Sequence, residues 1–267
     1  MTITDDLGRK FDLKLPVRRI ISLSPAIAEN LFAIGAGETV VGVTTVDDYP
    51  EAVKKLPKVG DFGSPAYERI RALRPELAIV EIAKMDKATI ANAEKRMGVP
   101  ILVQMSQTYR DVPRHLKQLG QITGKAQPAN DWASKMLHAE SWVQKRVKGK
   151  PKVTVFVEVS ASPLYTAGPG SFIDDLIRLC GGVNVVKGTN PFPQFSREAL
   201  LKADPEHYII AEGGDMSPNE KLTLPPPLNR LRAAREGKIH RIPADLLFRP
   251  TPRLSQGLME LERALNR

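Results

Sequence analysis

The chain has a single cysteine, Cys180, in 267 residues. An internal disulfide is therefore excluded, and the fold must rest on its core. Inside LIRLCGG the thiol reads as a small buried apolar group. No histidine and carboxylate are spaced to make it a nucleophile. Aromatics are also scarce, at 6%, so each one matters wherever a flat apolar surface is sought. No apolar run reaches the roughly 18 residues of a membrane helix. The four histidines, His115, His138, His207 and His240, show no spacing with one another or with an acid that suits a metal. There is no GxSxG elbow, phosphate loop or paired-acid motif, which weighs against an enzyme. GAGETV at 35–40 lacks the third glycine of a dinucleotide fingerprint and follows a helical pattern rather than a strand, so it reads as a helix stop.

Charge of one sign is in excess: the net charge is +9. The basic residues are dispersed, with one local cluster at Lys145, Arg146, Lys148, Lys150 and Lys152. No nucleic-acid motif accompanies that cluster, so it reads as a solvated basic surface. A hydrophobic content of 42% is enough for a sizeable core. The length suits one large domain or two lobes.

What the chain does contain is said twice. ERIRALRPE (68–76) followed by LAIVE matches EALLKADPE (198–206) followed by HYIIAE. LFAIGAGETVV (31–41) matches LIRLCGGVNVV (176–186) without a gap. Two related lobes are expected, with a small-molecule cleft between them. Strand patterns at 20–24, 40–43, 77–80 and 101–104 alternate with helical patterns, which predicts an open, mostly parallel α/β sheet. A helical pattern at 128–148 stands near the middle of the chain, with Trp132, Met136, Trp142 and Val143 as its apolar stripe, and is long enough to link two lobes. VTVFVEV (153–159) then opens a second sheet. The organisation expected is an N-terminal lobe over 1–110, a linker region over 111–149 and a C-terminal lobe over 150–267.

Several features carry both a plain and a functional reading. GPGS (168–171) is a turn with Ser171 as helix cap, or an anion site on free N–H groups. Asp174 and Asp175 suit the first turn of a helix. Glu68 and Glu198 open equivalent helices, where an acid favours the dipole. They also form a matched pair that a two-fold partner could read with two arginines. Glu81, Glu158 and Glu212 fall at strand ends, where open α/β sheets bind ligands. That leaves a cytoplasmic acid–base enzyme as a rival reading.

RRIISLSPAIAENLFAIGAGETVVGVTTVDDYP, KVGDFGSPAYERIRALRPELAIVE, PFPQFSREALLKADPEHYIIAEGG and IPADLLFRPTPR, in that order, resemble the cobalamin and iron-siderophore binding proteins of ABC importers. In that group one long helix joins two α/β lobes. DDYP, PFPQFSRE and DLLFRPTPR bring the cobalamin binders closest. The resemblance implies a monomeric extracytoplasmic solute-binding protein, its signal peptide removed. It would perform no chemistry, hold no cofactor or metal and bind no nucleic acid. It would deliver its ligand to a permease dimer and touch the membrane only through that permease or a lipid anchor. By resemblance, Tyr49 packs on the corrin, and Phe62 and Phe192 stand where cobalamin binders often put Trp. Asp245 hydrogen-bonds the ligand's edge with Arg249 nearby, and Glu68 and Glu198 pair with permease arginines. Glu81 departs from the pattern, standing at an aromatic position of cobalamin binders, where an acid in the cleft could meet amide groups or a cation. The ligand implied is cobalamin or a related corrinoid, with haem or a ferric siderophore as the alternative.

Overall fold

The computed structural model describes residues 1–61, 63–212 and 222–266. The chain divides into two compact units, the first Met1–Ser106 with Arg110–Met136, the second Gln107–Tyr109 with Leu137–Arg267.

The first unit opens with a hairpin, β1 (Thr2–Thr4) and β2 (Lys10–Asp12). Then follow β3 (Ile20–Ser22), α1 (Pro25–Ala33), β4 (Val40–Gly42), the short pair β5 (Gly60–Asp61) and β6 (Ser64–Pro65), α2 (Tyr67–Ala72), β7 (Leu77–Glu81), α3 (Lys87–Met97), β8 (Ile101–Gln104) and α4 (Asp111–Thr123). The main sheet runs β4-β3-β7-β8 and is parallel throughout. Every residue of β3, β7 and β8 is buried, as a sheet covered on both faces requires. Ile21, Val80, Ile90, Ile101 and Val103 form one side of the core. Each such side chain contributes about 1.5–3 kcal/mol by leaving water. Pro25 presets φ at the first turn of α1, and Gly35, at φ +73°, ends it as a left-handed cap.

From α4 the chain turns at Gly124 into α5 (Ala126–Val147), 22 residues or about 33 Å long. Its buried stripe is Ala129, Ala133, Met136, Glu140 and Val143, at helical spacing. Trp132 donates its indole N–H to the Ala33 carbonyl at 2.8 Å. Trp142, expected on the packed stripe, lies off it and is 48% exposed. Its position falls between those of Glu140 and Val143 in sequence but on the outer side of the helix.

The second unit holds β9 (Val153–Ala161), β10 (Leu164–Thr166), α6 (Phe172–Leu179), β11 (Gly182–Asn184), α7 (Arg197–Ala203), β12 (His207–Glu212), α8 (Arg232–Arg235), β13 (Ile239–Pro243), α9 (Ala244–Phe248) and α10 (Leu254–Leu265). β11, β12 and β13 are parallel to the strands they pair with, and β10 is antiparallel to β9. Phe156, Leu200, Tyr208, Leu228 and Leu231 form its core on one side. Ser171 caps α6 by accepting from the Asp174 N–H at 3.2 Å, as its turn sequence suggested. Cys180 is buried, and burial pushes its thiol pKa up, which leaves it inert at neutral pH.

One repeated phrase recurs in structure as well as in sequence. α2 and α7 are each followed by a residue with positive φ at the matching place in the phrase, Arg74 at +45° and Asp204 at +37°, the two non-glycine cases among the described residues. Each is followed by Pro-Glu. Glu76 accepts the backbone N–H groups of Arg18 and Arg19 just before β3, and Glu206 accepts that of Thr154 in β9 at 2.8 Å. The same carboxylate ties the same corner to the neighbouring strand in both units. The other phrase does not align without a gap. In the first copy a 3-10 turn, Gly37–Thr39, separates the helix stop from β4. In the second, Gly181 at φ +80° leads straight into β11 at Gly182.

Candidate functional site

Parallel strands send all their carboxyl ends to one edge, and that edge is where open α/β sheets offer residues to ligands. In the first unit the loops after β4, β3, β7 and β8 emerge there, carrying Tyr49, Ser24, Glu81 and Ser106. The β4 loop is shaped by Asp47, which is 3% exposed and whose carboxylate accepts the Thr44 backbone N–H at 3.0 Å and its hydroxyl. Lys58 adds a bond to the Asp47 carbonyl at 3.2 Å. Beyond this fixed turn the Tyr49 ring is 46% exposed. Phe62 lies outside the described residues.

Glu81 ends β7 and is turned inward. Its backbone N–H donates to Ser24 Oγ at 3.0 Å. Its Oε1 accepts the Ser106 N–H at 2.8 Å. Its Oε2 is buried without a hydrogen bond; His115 Nδ1 stands 3.5 Å away, too far for a good one. His115, on α4, is 1% exposed. It bridges Ser106 Oγ at 3.2 Å through Nδ1 and Asp6 Oδ2 at 2.7 Å through Nε2. Asp6 also accepts from Arg114 at 2.6 Å and from the Met105 N–H at 2.7 Å. Burial alone would raise the Asp6 pKa, but the bonds from His115 and Arg114 outweigh it and hold it well below the usual carboxylate range. Burial raises Glu81 to about 6, partly opposed by His115 and Ser106.

Asp6, His115 and Ser106 thus have the connectivity of a hydrolytic triad. The arrangement does not work as one. Ser106 is 7% exposed, and its N–H, which could otherwise serve an oxyanion, is occupied by the Glu81 carboxylate. What the chain of polar groups does is fix the ends of β7 and β8.

The raised Glu81 pKa sets the sign of a stability effect. The folded state holds this proton more tightly than the unfolded chain. Stability from the neutral form is complete below about pH 4.5 and lost as pH rises through about 6. Glu81→Gln keeps the acceptor for Ser106 and removes the charge. It is expected to gain about 1–2 kcal/mol at pH 7.5 and nothing at pH 4.5. Denaturant titrations at the two pH values check this; a variant less stable than the parent at pH 7.5 overturns it.

In the second unit the loop after β11 carries Phe192, half-buried. Asn190 Oδ1 accepts the Phe192 N–H at 3.0 Å. The loop is sewn to the β10 segment by Thr166 N–H to Pro193 O at 3.1 Å and Gly168 N–H to Pro191 O at 2.9 Å. After β13, Asp245 sits in the first turn of α9. Its carboxylate meets Arg249 at 3.1 Å and Arg253 at 3.7 Å. Sequence reasoning named the first arginine and missed the second, though both stand in FRPTPR. Glu158 is bonded to the Tyr208 hydroxyl, and the Glu212 side chain lies outside the described residues. Glu68, in the first turn of α2, is 81% exposed and 3.4 Å from Arg71. Glu198, in the first turn of α7, is exposed.

The histidines scattered in sequence do meet in space: His207 Nδ1 lies 3.2 Å from His240 Nε2. Burial, then the neighbouring His240, lowers the His207 pKa to about 4. No cluster of three His, Cys, Asp or Glu able to hold a metal occurs among the described residues.

Two mostly parallel α/β units that carry rings and charges at the carboxyl ends of their strands are the build of a solute-binding protein. The chain belongs to the periplasmic binding protein family, whose sequence model matches residues 20–246. It is 32% identical over 194 residues to the vitamin B12-binding protein of Salmonella typhimurium, covering 72% of each chain. It is 28% identical to an ABC transporter substrate-binding lipoprotein of Bacillus subtilis, over 99% of this chain and 85% of that one. The crystal structure of the periplasmic vitamin B12 binding protein of Vibrio cholerae superposes with a TM-score of 0.81 at 24% identity, covering 94% of this chain and 97% of that one. The joined-lobe α/β fold implied by the family resemblance is the fold the chain has.

Proposed function

We propose that this chain captures a corrinoid, cobalamin in the first instance, outside the cytoplasm and delivers it to an ABC importer. The observation that carries the reading is the exposed Tyr49 ring at the carboxyl edge of the first sheet, in a chain akin to a vitamin B12-binding protein over most of its length. A flat macrocycle gains most from flat rings, which offer large contact area with few torsions to freeze. Tyr49, Phe62 and Phe192 supply those rings. Asp245, steadied by Arg249 and Arg253, supplies the polar contact that orients the ligand's rim. Glu81 enters as the support that holds the β7 and β8 ends, since its carboxylate is engaged by Ser106.

Glu68 and Glu198 are the proposed contacts for arginines of a permease dimer. The 3.4 Å pair of Glu68 with Arg71 is exposed and weak, so a better partner displaces it. Replacing both acids by alanine should leave ligand affinity unchanged and abolish transporter-dependent uptake; uptake that survives removes the docking role. The native chain is taken to be exported with its leader removed, and to work as a monomer.

The test is retention of cyanocobalamin. After incubation and desalting, the visible spectrum of the protein should carry the corrin bands, and Tyr49→Ala should weaken binding about tenfold or more. Absence of binding at micromolar ligand overturns the corrinoid reading. A second reading, a ferric chelate or haem, is favoured by the two arginines, Arg249 and Arg253, that stand beside Asp245 on this loop. In that case Arg249→Ala abolishes binding of the anionic ligand.

A further inference from the structure

We propose that the end of α5 and the turn after it form a docking surface for an anionic lipid bilayer. This surface is separate from the ligand and permease contacts proposed above, and its test does not depend on them. Between residues 141 and 152 the chain carries five cations and no acid. Lys145 and Arg146 suit the carboxyl end of a helix, and Arg146 is held at 3.1 Å by the buried Glu262. The dipole does not account for Lys148, Lys150 and Lys152, which lie beyond the helix. Those three and Lys145 are exposed and make no ion pair among the described residues. Together they give this part of the surface a positive potential that an anionic partner would meet.

An exposed indole stands on the helix face that Lys145 and Arg146 share with it by spacing of three and four residues. Trp142 is 48% exposed, with the Arg146 guanidinium 4.8 Å from its ring centroid. Val183 on β11 is 38% exposed. The elements are neighbours: the Gly181 backbone packs against Val147, where an added Cβ would lie 3.4 Å away, and Gly182 pairs with Val153. Lysines reaching phosphates around a half-exposed indole is the pattern of membrane-interface residues, whose ring settles at headgroup depth while the ammonium groups stay in water. A single-stranded nucleic acid would want open ring faces for stacking. Here the guanidinium covers one face of the ring, and a periplasmic binding protein works beside a membrane.

The full chain is tested against vesicles of mixed phosphatidylglycerol and phosphatidylcholine, vesicles of phosphatidylcholine alone, and a single-stranded oligonucleotide, at low ionic strength. Binding to the anionic vesicles is expected, with none to the neutral ones. Exchanging Lys145, Lys148, Lys150 and Lys152 for Gln should weaken it about a hundredfold. Exchanging the exposed Lys14, Lys84, Lys87 and Lys95 for Gln removes the same charge elsewhere and should leave most of the binding. In a Trp132→Phe variant, the emission of Trp142 should move to shorter wavelength on vesicle binding. Equal loss in the two quadruple variants overturns the proposal, because net charge then acts without a defined surface. An unmoved Trp142 emission, or binding to the oligonucleotide and not to vesicles, overturns it as well.

Discussion

Asp6→Ala is expected to cost about 3–5 kcal/mol of folding stability at neutral pH. The carboxylate gathers three donors from two other parts of the chain: the His115 ring at 2.7 Å, the Arg114 guanidinium at 2.6 Å and the Met105 N–H at 2.7 Å. Truncation leaves Nε2 of the His115 ring, which is 1% exposed, without its carboxylate partner. The penalty for an unmet buried donor, added to the loss of charge-assisted bonds, exceeds the net worth of any one bond. The Asp6 pKa lies below that of an unfolded aspartate. Its contribution is therefore present above about pH 4 and lost as pH falls through the folded value. The parent should show an acid limb in its stability profile that Asp6→Ala lacks. Urea titrations between pH 3 and 7 read both effects, and a loss under 1 kcal/mol at pH 7 would sink the idea.

The consequence for function follows from position. Met105 and Ser106 follow β8 directly, and Glu81 ends β7. The polar network holds two of the four strand ends at the edge that carries Tyr49. A variant that survives folding should therefore bind ligand more weakly than its stability alone dictates.

How much of this was legible in the sequence differs by element. The parallel strands were, because each is a short apolar run between helical patterns, and period and length are local signals. The recurrence of the Pro-Glu phrase was, since it is local, but the positive φ at Arg74 and Asp204 and the strand ties of Glu76 and Glu206 came only with the structure. His115 was half legible. It falls on the apolar face of α4 with Leu116, Leu119 and Ile122, so its burial follows from periodicity, and a buried imidazole must have partners. Nothing local pointed to Asp6, which lies 109 residues away in sequence. Trp142 was misread because a large apolar residue near a stripe is taken for part of it. The helix angle puts it outside, and the lysines that follow were not weighed with it. The gapless match at 31–41 and 176–186 misled for another reason: similar residues serve a 3-10 turn in one copy and a strand in the other, so identity at a position did not mean equivalence of conformation.

Gly257→Ala is the other change expected to act strongly, and two opposed effects decide it. Gly257 is interior to α10, where alanine is intrinsically favoured by about 1 kcal/mol. But a Cβ there would lie 2.0 Å from the Leu246 carbonyl oxygen in α9. The obstacle is backbone, so no side chain can rotate away, and one helix must move by an ångström or more. Overpacking of this kind costs about 1–3 kcal/mol, and more where a backbone must shift. The clash outweighs the propensity, and a net loss of about 2 kcal/mol or more is expected. α9 carries Asp245, and Arg249 follows it, so the displaced helix takes the proposed rim contacts with it. Thermal unfolding and ligand titration of the same variant should both fall, the second by more than a stability loss explains, because the folded fraction stays near unity at this cost. A Gly257→Ala protein as stable as the parent, with unchanged ligand affinity, would mean that α9 and α10 are not held at the distance that a missing side chain permits.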